Sequence, residues 1–245
     1  MKALILAAGY ATRLYPLTKE KPKPLLVVGK KPIIDYLIHK LDGLDELDTI
    51  YIVTNQKFYG IFEDWLRGLK SKKQVVLVND GTTKYEDRLG AIGDIELALR
   101  WQRIYDDLLI LAGDNIFDCD LKEFVECTKA CPQTFVMGIY DIRDKSKASK
   151  YGVVEIDDKS CIKNLMEKPT EPVSSLVAMG IYYFPKDGLN LISEYLKVGK
   201  ENDAPGHFIH WLLKGQEVRS YIFKGVWYDI GDKASYRQAN SRFSI

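Results

Sequence analysis

The sequence lacks the features that mark membrane proteins and proteins of strongly unbalanced charge. No apolar stretch approaches the roughly 20 residues that a membrane-spanning helix needs. Lys and Arg together number 35 and Asp and Glu together number 34, so the 245 residues carry a formal net charge of +1. With so little net charge, no overall field attracts the protein to nucleic acid or to an anionic membrane. We therefore expect neither among its partners.

Paired cysteines are also absent. The four cysteines are Cys119, Cys127, Cys131 and Cys161. None has C-x-x-C spacing and three lie near one predicted helix, so the pattern favours reduced, structural thiols over a zinc site or a disulfide framework. The chain begins Met1-Lys2 and continues into a short apolar strand that ends at Gly9, which is too brief for a signal-peptide core. We expect a cytoplasmic protein.

What the first half of the sequence contains is an alternation of strand-like and helix-like segments. The segments 3–6, 49–54 and 75–78 are short apolar runs typical of buried strands. Between them, the segments 33–41 and 58–69 place apolar side chains on one helical face. This alternation favours a parallel sheet covered by helices on both faces. Because G-x-G-x-x-G and G-x-x-x-x-G-K are absent, it does not by itself indicate a dinucleotide site or a P-loop.

The second half of the chain has a different pattern. The segments 151–156 and 162–167 flank four turn residues and form a predicted antiparallel pair. Further strands are predicted at 134–140, 177–184 and 218–223, and helices at 121–131, 188–196 and 205–213. We therefore predict an α/β protein, a Rossmann-like three-layer sandwich with a mixed, mostly parallel sheet and a small antiparallel subregion, in a single domain spanning residues 1–245.

The loop after the first strand combines small residues with cations. It contains Gly9, Thr12 and Arg13, followed by lysines at positions 19, 21 and 23. Free N–H groups and positive charges beside the end of a buried strand are suited to phosphates. Charge alone favours an ordinary turn whose basic residues are solvated. Prolines at 16, 22 and 24 restrict the backbone and favour a loop whose shape is held.

The order of residues in this region resembles the signature of the sugar-phosphate nucleotidyltransferases. The matching residues are Leu6-Ala7-Ala8-Gly9-x-x-Thr12-Arg13-Leu14-x-Pro16-Leu17-Thr18, then Pro22-Lys23-x-Leu25-Leu26 and Lys31-Pro32-Ile33-Ile34. That family makes nucleoside-diphosphate sugars from a nucleoside triphosphate and a sugar 1-phosphate. The family usually has Gly where this chain has Ala11. Because alanine tolerates a positive φ poorly, the detailed path of the loop stays open.

The resemblance implies that residues 1–140 bind mainly the nucleotide and residues 141–245 mainly the sugar phosphate. It gives catalytic roles to Arg13, at the triphosphate, and to Lys23, at the α-phosphate or the leaving pyrophosphate. The implied nucleotide-binding residues are Ala8, Gly9, Tyr10, Ala11, Thr12, Asn79 and Gly90. In the segment that contains Asn79 and Gly90, the spacing is longer than in the thymidylyl and uridylyl members of the family, so no base is assigned.

Two carboxylates, Asp114 and Asp229, are implied to hold Mg²⁺. Asp114 directly follows an apolar strand, and Asp229 lies in Trp227-x-Asp229-x-Gly231, which resembles a late motif of the family. A carboxylate at the carboxyl end of a strand is fixed in position and ionised at neutral pH, as Mg²⁺ coordination needs. Taken alone, either Asp also suits a turn or a helix cap.

The implied sugar-phosphate residues come mainly from the second half of the chain. They are Asn115, Tyr151, Gly152, Glu167, Lys168, Gly180 and Trp227. By the resemblance, Glu167 would accept hydrogen bonds from sugar hydroxyls and Lys168 would meet the phosphate. The alternatives are a solvated Glu-Lys pair, and a glycine that serves interior packing at position 180.

The resemblance predicts a Mg²⁺-dependent transferase of nucleotide-sugar biosynthesis, whose substrates are a nucleoside triphosphate and a sugar 1-phosphate. The sequence offers no Ser-His or Cys-His nucleophile, so the acceptor phosphate itself would attack the α-phosphorus. Two alternatives stay open: a cytidylyltransferase acting on a non-sugar phosphate such as phosphocholine, and a catalytically silent nucleotide or sugar-phosphate sensor. The sequence names neither the base nor the sugar, and it leaves homo-oligomerisation open.

Overall fold

A computed structural model describes residues 1–199 and 203–243 of the chain. The strands within those residues are β1 Lys2–Leu6, β2 Val27–Val28, β3 Lys31–Pro32, β4 Thr49–Thr54, β5 Gln74–Asn79, β6 Leu108–Ala112, β7 Asn115–Phe117, β8 Phe135–Asp141, β9 Gly152–Ile156, β10 Ile162–Glu167, β11 Leu176–Phe184, β12 Val218–Phe223 and β13 Trp227–Asp229. The α-helices are α1 Ile33–Leu41, α2 Gln56–Gly68, α3 Gly90–Trp101, α4 Leu121–Lys129, α5 Asn190–Lys197, α6 Pro205–Leu212 and α7 Lys233–Phe243.

The chain forms two compact units, and each is assembled from separate segments. Unit 1 comprises Met1–Leu89, Leu111–Leu121 and Gly225–Ile245, and unit 2 comprises Gly90–Ile110 and Lys122–Lys224. The chain thus returns to unit 1 for β7, and again for β13 and α7. The single domain with a division near residue 140 stays a prediction.

Unit 1 is built on parallel strands. β1 pairs with β4 and β4 pairs with β5, both in parallel. The consecutive residues Ala3, Leu4 and Ile5 of β1 are fully buried. Burial of side chains that point to opposite sides of a strand means that both faces of the sheet are covered at this point.

Two amphipathic helices follow β1 and β4 in unit 1. The buried residues of α1 are Ile33, Ile34, Leu37, Ile38 and Leu41. Helix α2 buries Phe58 and Phe62. It begins after Asn55, whose side-chain oxygen accepts a hydrogen bond from the N–H of Phe58 at 3.0 Å. An Asn at this position satisfies a donor that the first turn of a helix leaves without an intrahelical partner.

A short antiparallel ribbon, β7–β13, belongs to the same unit. Asn115 lies opposite Asp229 in its register. The last helix, α7, is attached to the β2–β3 hairpin, because Asn240 accepts from the N–H of Gly29 and Tyr236 donates to the carbonyl of Val27, both at 2.8 Å. Segments from the start, middle and end of the sequence are thereby held in one unit.

Unit 2 contains mainly antiparallel pairs. β8 pairs with β11 in antiparallel and with β12 in parallel, while β9 pairs in antiparallel with both β10 and β11. Aromatic side chains fill the core between this sheet and α6. The ring centroid of Phe184 lies 5.2 Å from that of Phe135 and 5.5 Å from that of Phe208. These separations are typical of favourable ring packing.

These elements confirm the predicted α/β class with a mixed sheet. The strands predicted at 49–54 and 218–223 have the observed bounds, and the predicted antiparallel pair is β9–β10. The helix predicted from Pro32 to a stop at Gly43 is α1, Ile33–Leu41. Other boundaries differ for local reasons. Helix α2 begins at Gln56 because Asn55 caps it, and α5 begins only at Asn190 because Lys186–Gly188 forms a 3-10 turn. Among the residues described, no helix has the length and apolar character to cross a bilayer.

Replacing Gly138 with Ala is expected to destabilise the protein by about 1–3 kcal/mol. A Cβ added at this position of β8 would lie 2.6 Å from Cε2 of Phe223 and 3.2 Å from Cβ of Ile181, so packed side chains must move. Gly60→Ala is the matched control, because Gly60 is exposed on α2 and its added Cβ meets nothing within 4 Å. Helix propensity predicts a gain of about 0.5–1 kcal/mol there. Urea denaturation measures the change in the free energy of unfolding of both variants. If Gly138→Ala were as stable as the wild-type protein, the close packing around Gly138 would be contradicted.

Candidate functional site

The loop after β1 has a fixed base and an open tip. The side-chain amide of Asn55 donates to the carbonyl oxygen of Ala8 at 2.8 Å, which ties the start of the loop to the end of β4. Gly9, Thr12 and Arg13 are exposed. Exposed backbone on a held loop, next to a guanidinium, is an arrangement that can bind phosphate oxygens. The sequence predicted the tip, whereas the anchoring role of Asn55 was missed.

Ala11 adopts the left-handed conformation, with φ 47° and ψ 43°. Its carbonyl oxygen accepts hydrogen bonds from the N–H of Leu14 at 3.0 Å and from the hydroxyl of the fully buried Thr18 at 2.8 Å. These bonds hold alanine in a region of backbone space that favours glycine, at a conformational cost on the order of 1 kcal/mol. The loop therefore follows a glycine-like path although a glycine is absent.

Buried polar side chains connect this loop with the end of β5. Asp80 accepts from the N–H of Thr82 at 2.7 Å and from its hydroxyl at 3.0 Å. The hydroxyls of Tyr10 and Thr82 lie 3.0 Å apart and form a hydrogen bond. Burial raises the pKa of Asp80, while its hydrogen bonds with Thr82 favour the ionised form. Tyr10, a predicted nucleotide-binding residue, is thus held by two residues that the motifs did not single out.

The β7–β13 ribbon brings together four of the predicted site residues. Asn115 faces Asp229 in the ribbon, and the N–H of Ile230 donates to the carbonyl of Asp114 at 3.0 Å. The indole N–H of Trp227 donates to the side-chain oxygen of Asn115 at 2.9 Å. The ribbon therefore places the two predicted metal ligands, Asp114 and Asp229, beside each other.

The charges on this ribbon influence one another strongly. Burial, and then the neighbouring Asp114, raise the pKa of Asp229 to about 6, whereas Lys23 and Arg13 favour its ionised form. The ammonium of Lys23 lies 2.5 Å from the carboxylate of Asp114. We call the loop 8–13, Lys23, Asp114 and Asp229 the loop–ribbon site. All of it lies within unit 1.

The donors of the loop–ribbon site fit a hard cation. In the described part of the chain, no group of three or more His, Cys, Asp or Glu side chains could hold a metal ion by itself. Mg²⁺ is commonly bound by one or two carboxylates and takes its remaining ligands from water and substrate phosphates. The carboxylates of Asp114 and Asp229, beside an exposed loop suited to phosphate, match that kind of coordination.

Most of the predicted sugar-phosphate residues lie in unit 2, around the β9–β10 pair. Gly152 lies opposite Glu167, and the N–H of Lys168 donates to the carbonyl of Tyr151 at 3.0 Å. A Cβ added at Gly152 would lie 3.2 Å from Oε1 of Glu167, so glycine leaves room for that carboxylate. Lys168 has φ 45°, which is uncommon for a residue with a side chain. We call Tyr151, Gly152, Glu167 and Lys168 the strand-pair cluster.

The carboxylate of Glu167 is also in contact with α6. Burial raises its pKa, while Lys168, His207 and a hydrogen bond from the N–H of Gly206 favour the ionised form. A Cβ added at Gly206 would lie 2.1 Å from Oε1 of Glu167, so the first turn of α6 packs directly on this carboxylate. Glu167 therefore has fewer lone pairs for a ligand than its motif suggests.

Three further predicted site residues lie at the start of a helix, at a register shift in a strand and beside a loop. Gly90 begins α3 with φ 76°, and Gly180 has φ 75° at a register shift in β11. These angles explain why glycine stands at both positions. Asn79 donates to the side chain of Gln56 at 2.7 Å and accepts from the N–H of Gly81 at 2.9 Å, so its amide shapes the loop after β5. The binding roles of all three stay predictions.

The sequence is similar to those of known proteins along nearly its whole length. Residues 2–244 match the family model described as nucleotidyl transferase. A Sulfolobus acidocaldarius protein, provisionally named mannose-1-phosphate guanyltransferase, is 34% identical over 243 residues, which are 98% of this chain and 62% of that protein. The bifunctional protein GlmU of Methanocaldococcus jannaschii is 30% identical over 241 residues, 98% of this chain and 53% of that protein. The chain thus spans from about half to 62% of the length of these relatives.

A solved structure is similar along the whole chain. It is that of a Bacillus anthracis protein, provisionally described as a glucose-1-phosphate thymidylyltransferase, in complex with a sucrose. It is 28% identical, with a TM-score of 0.85, and the match covers 100% of this chain and 95% of that one. The likeness therefore extends well beyond the N-terminal motifs.

Ala11→Gly is expected to stabilise the protein by up to about 1 kcal/mol, because glycine adopts the left-handed region without the steric penalty of a Cβ. Ala234→Gly, at an exposed helical position of α7, is the matched control. At position 234 the same Ala-to-Gly substitution is expected to lower the stability of the protein. Guanidinium denaturation gives both free energies of unfolding. A loss of stability in Ala11→Gly would contradict the strain assigned to the loop.

Asp229→Asn is expected to stabilise the free protein at pH 8 by on the order of 2 kcal/mol. The folded-state pKa of Asp229 is raised from 3.8 to about 6, so the wild-type protein loses stability as the pH rises through that interval and the carboxyl ionises. The neutral amide avoids this loss. The gain should therefore be small at pH 4, close to the unfolded-state pKa of 3.8, and should vanish below it, where the carboxyl is protonated in both states. Unfolding measured at pH 4 and pH 8 tests this, and an equal gain at both would refute the raised pKa. Asp45→Asn, at an exposed position, is the control.

Proposed function

The chain belongs to the nucleotidyl transferase family, and we propose on that premise that it transfers a nucleotidyl group from a nucleoside triphosphate to a sugar 1-phosphate, releasing pyrophosphate. The observation that carries this proposal is the composition of the loop–ribbon site. An exposed loop in a glycine-like conformation, two cations and two neighbouring carboxylates lie within one unit. Nucleotidyl transfer depends on positioning and charge stabilisation, which are what these groups supply.

The loop would bind the triphosphate. The exposed backbone at Gly9 and Thr12 offers N–H donors, and the guanidinium of Arg13 offers paired N–H groups that match phosphate geometry. Because Tyr10 and Ala11 are held by hydrogen bonds to Thr82 and Thr18, the loop is ordered before the ligand arrives. A preorganised site loses less entropy on binding.

Lys23 would change partners during the reaction. In the free protein its ammonium is paired with Asp114. With Asp114 engaged in cation binding, this ammonium becomes available to the α-phosphate or to the leaving pyrophosphate. Mg²⁺ bound by Asp114 and Asp229 would supply positive charge that offsets the negative charge of the reacting phosphates. A pKa of about 6 leaves Asp229 ionised at pH 7 and above, as this role needs.

The strand-pair cluster would bind the acceptor. Lys168 would meet its phosphate, and Glu167 would accept from a sugar hydroxyl with the oxygen lone pairs that α6 leaves available. Asn115, Gly180 and Trp227 are the further residues proposed for the acceptor. A phosphate oxygen of the acceptor attacks the α-phosphorus in line, the bond to the β-phosphate breaks, and pyrophosphate leaves. The acceptor phosphate is already ionised, so the step needs no protein nucleophile and no strong base.

The proposed substrates are two classes of molecule, a nucleoside triphosphate and a sugar 1-phosphate. Two of the relatives described above carry names that refer to guanyl and to thymidylyl transfer, and the two from Sulfolobus and Methanocaldococcus are considerably longer than this chain. Nucleotide-sugar biosynthesis is the corresponding biological role.

Pyrophosphate release should be measured over a panel of nucleoside triphosphates with sugar 1-phosphates and phosphocholine. We expect Mg²⁺-dependent release with at least one sugar 1-phosphate. Arg13→Ala should lower turnover by about 10²–10³-fold, since a charged donor to the phosphates is lost. Arg67→Ala, at an exposed position of α2, is the matched control and should keep the wild-type rate. Asp114→Asn should abolish the metal-dependent release.

The same panel distinguishes the alternatives. Release with phosphocholine and no sugar 1-phosphate would identify a cytidylyltransferase of the other acceptor class. Nucleotide binding without release for any pair would identify a sensor. Wild-type turnover in Arg13→Ala would refute the role of the loop, and unchanged metal dependence in both Asp114→Asn and Asp229→Asn would refute the role of the carboxylates.

A further inference from the structure

Asp118 closes one end of the β7–β13 ribbon. Its side-chain Oδ1 accepts from the N–H of Val226 at 2.7 Å, and its own N–H donates to the carbonyl of Val226 at 3.1 Å. These two hydrogen bonds join the residue after β7 to the residue before β13, which are 108 positions apart in sequence. We call this pair of bonds the Asp118 clamp. Asp114 lies at the opposite end of the ribbon.

Gly225 makes room for the Asp118 clamp. It has φ 105°, a backbone conformation that residues with side chains rarely adopt. A Cβ added at Gly225 would lie 2.2 Å from Oδ1 of Asp118. Any side chain at this position would therefore displace the carboxylate from Val226. The clamp depends on this glycine as well as on Asp118.

Lys40 of α1 fixes the segment that carries Asp118. Its ammonium donates to the carbonyl of Asp118 at 3.1 Å and to that of Cys119 at 2.7 Å. It also lies 5.2 Å from the ring centroid of Phe117, within the range of a cation–π contact. The clamp is thus attached to a helix whose apolar face is buried in unit 1.

The ribbon itself is short, with three residues in each strand. A two-stranded ribbon has little stability of its own, and this one carries two carboxylates that repel each other. We propose that Asp118 is a positioning residue, which acts through Val226 to keep β13 in register so that the carboxylate of Asp229 stays beside Asp114. This inference rests on the proposed function, in which these two carboxylates hold Mg²⁺.

Two substitutions at Asp118 separate the hydrogen bond from the charge. Asp118→Ala removes both the acceptor and the negative charge, whereas Asp118→Asn removes the charge and keeps an oxygen that can accept from Val226. Gly225→Ala breaks the clamp from the other side. Asp45→Ala, at an exposed position of unit 1, controls for the loss of one negative charge.

The first measurement is hydrogen exchange of segment 226–229 in the full chain without ligands. We expect faster exchange in Asp118→Ala and Gly225→Ala, and near-wild-type exchange in Asp118→Asn and Asp45→Ala. The second is the affinity for Mn²⁺, followed by electron paramagnetic resonance in the absence of nucleotide. We expect a loss of about tenfold in Asp118→Ala and Gly225→Ala, with near-wild-type affinity in the other two.

The metal dependence of turnover is the third measurement. Its expected pattern is a higher metal requirement with an unchanged maximal rate, which a general loss of folding would not produce. The metal concentration for half-maximal rate should rise about tenfold in Asp118→Ala, while the rate at saturating metal stays near that of the wild type. Circular dichroism checks that each variant is folded. If Asp118→Ala does not fold, Gly225→Ala carries the same comparison.

Three results would overturn the proposal. Equal losses of Mn²⁺ affinity in Asp118→Ala and Asp118→Asn would assign the effect to charge. Faster exchange of the segment with unchanged Mn²⁺ affinity would leave the clamp a purely structural feature. Failure of the proposed function is detected by a separate measurement on the wild-type protein: it would release no pyrophosphate with any substrate pair. A wild-type protein that binds no Mn²⁺ would overturn the clamp proposal together with the metal site.

Discussion

Two carboxylates held beside each other on one short ribbon repel, and the loop–ribbon site is arranged around that repulsion. Burial and the proximity of Asp114 raise the pKa of Asp229, so its ionised form is disfavoured. Lys23 pairs with Asp114, and Lys23 and Arg13 both favour the ionised Asp229. The free protein thus balances two negative charges with two side-chain cations. The proposed reaction redirects both cations to phosphates.

Holding this arrangement requires contacts from residues that were not predicted to bind a ligand. The left-handed Ala11 is conformationally costly, and the hydroxyl of the buried Thr18 offsets part of that cost. Asp80 and Thr82 hold Tyr10 on the other side of the loop. An exposed tip that is supported by buried hydrogen bonds can meet a ligand without first becoming ordered, which favours binding. The stability of the loop and its proposed function therefore depend on the same contacts.

Local patterns in the sequence predicted much of the fold. The β-branched run Thr49–Thr54 has its predicted bounds, and the apolar face predicted for α1 is the buried one, because the spacing of apolar residues decides which faces are buried. The ordered motifs also identified the loop and both ribbon carboxylates as candidate residues. Where local prediction failed, at the start of α2 for example, a single capping side chain moved the boundary.

The sequence by itself determined most of the longer elements, the class of the fold and the candidate residues. Only the tertiary structure decided which distant residues touch. The contacts of this kind join Tyr10 to Thr82 across 72 positions, Asp118 to Val226 across 108 and Trp227 to Asn115 across 112. The Glu-Lys-Pro motif likewise identified Glu167 but not the packing of α6 on its carboxylate. A hydrogen bond requires its two atoms to lie within about 3 Å, and the path of the whole intervening backbone, rather than the identity of either residue, sets that distance.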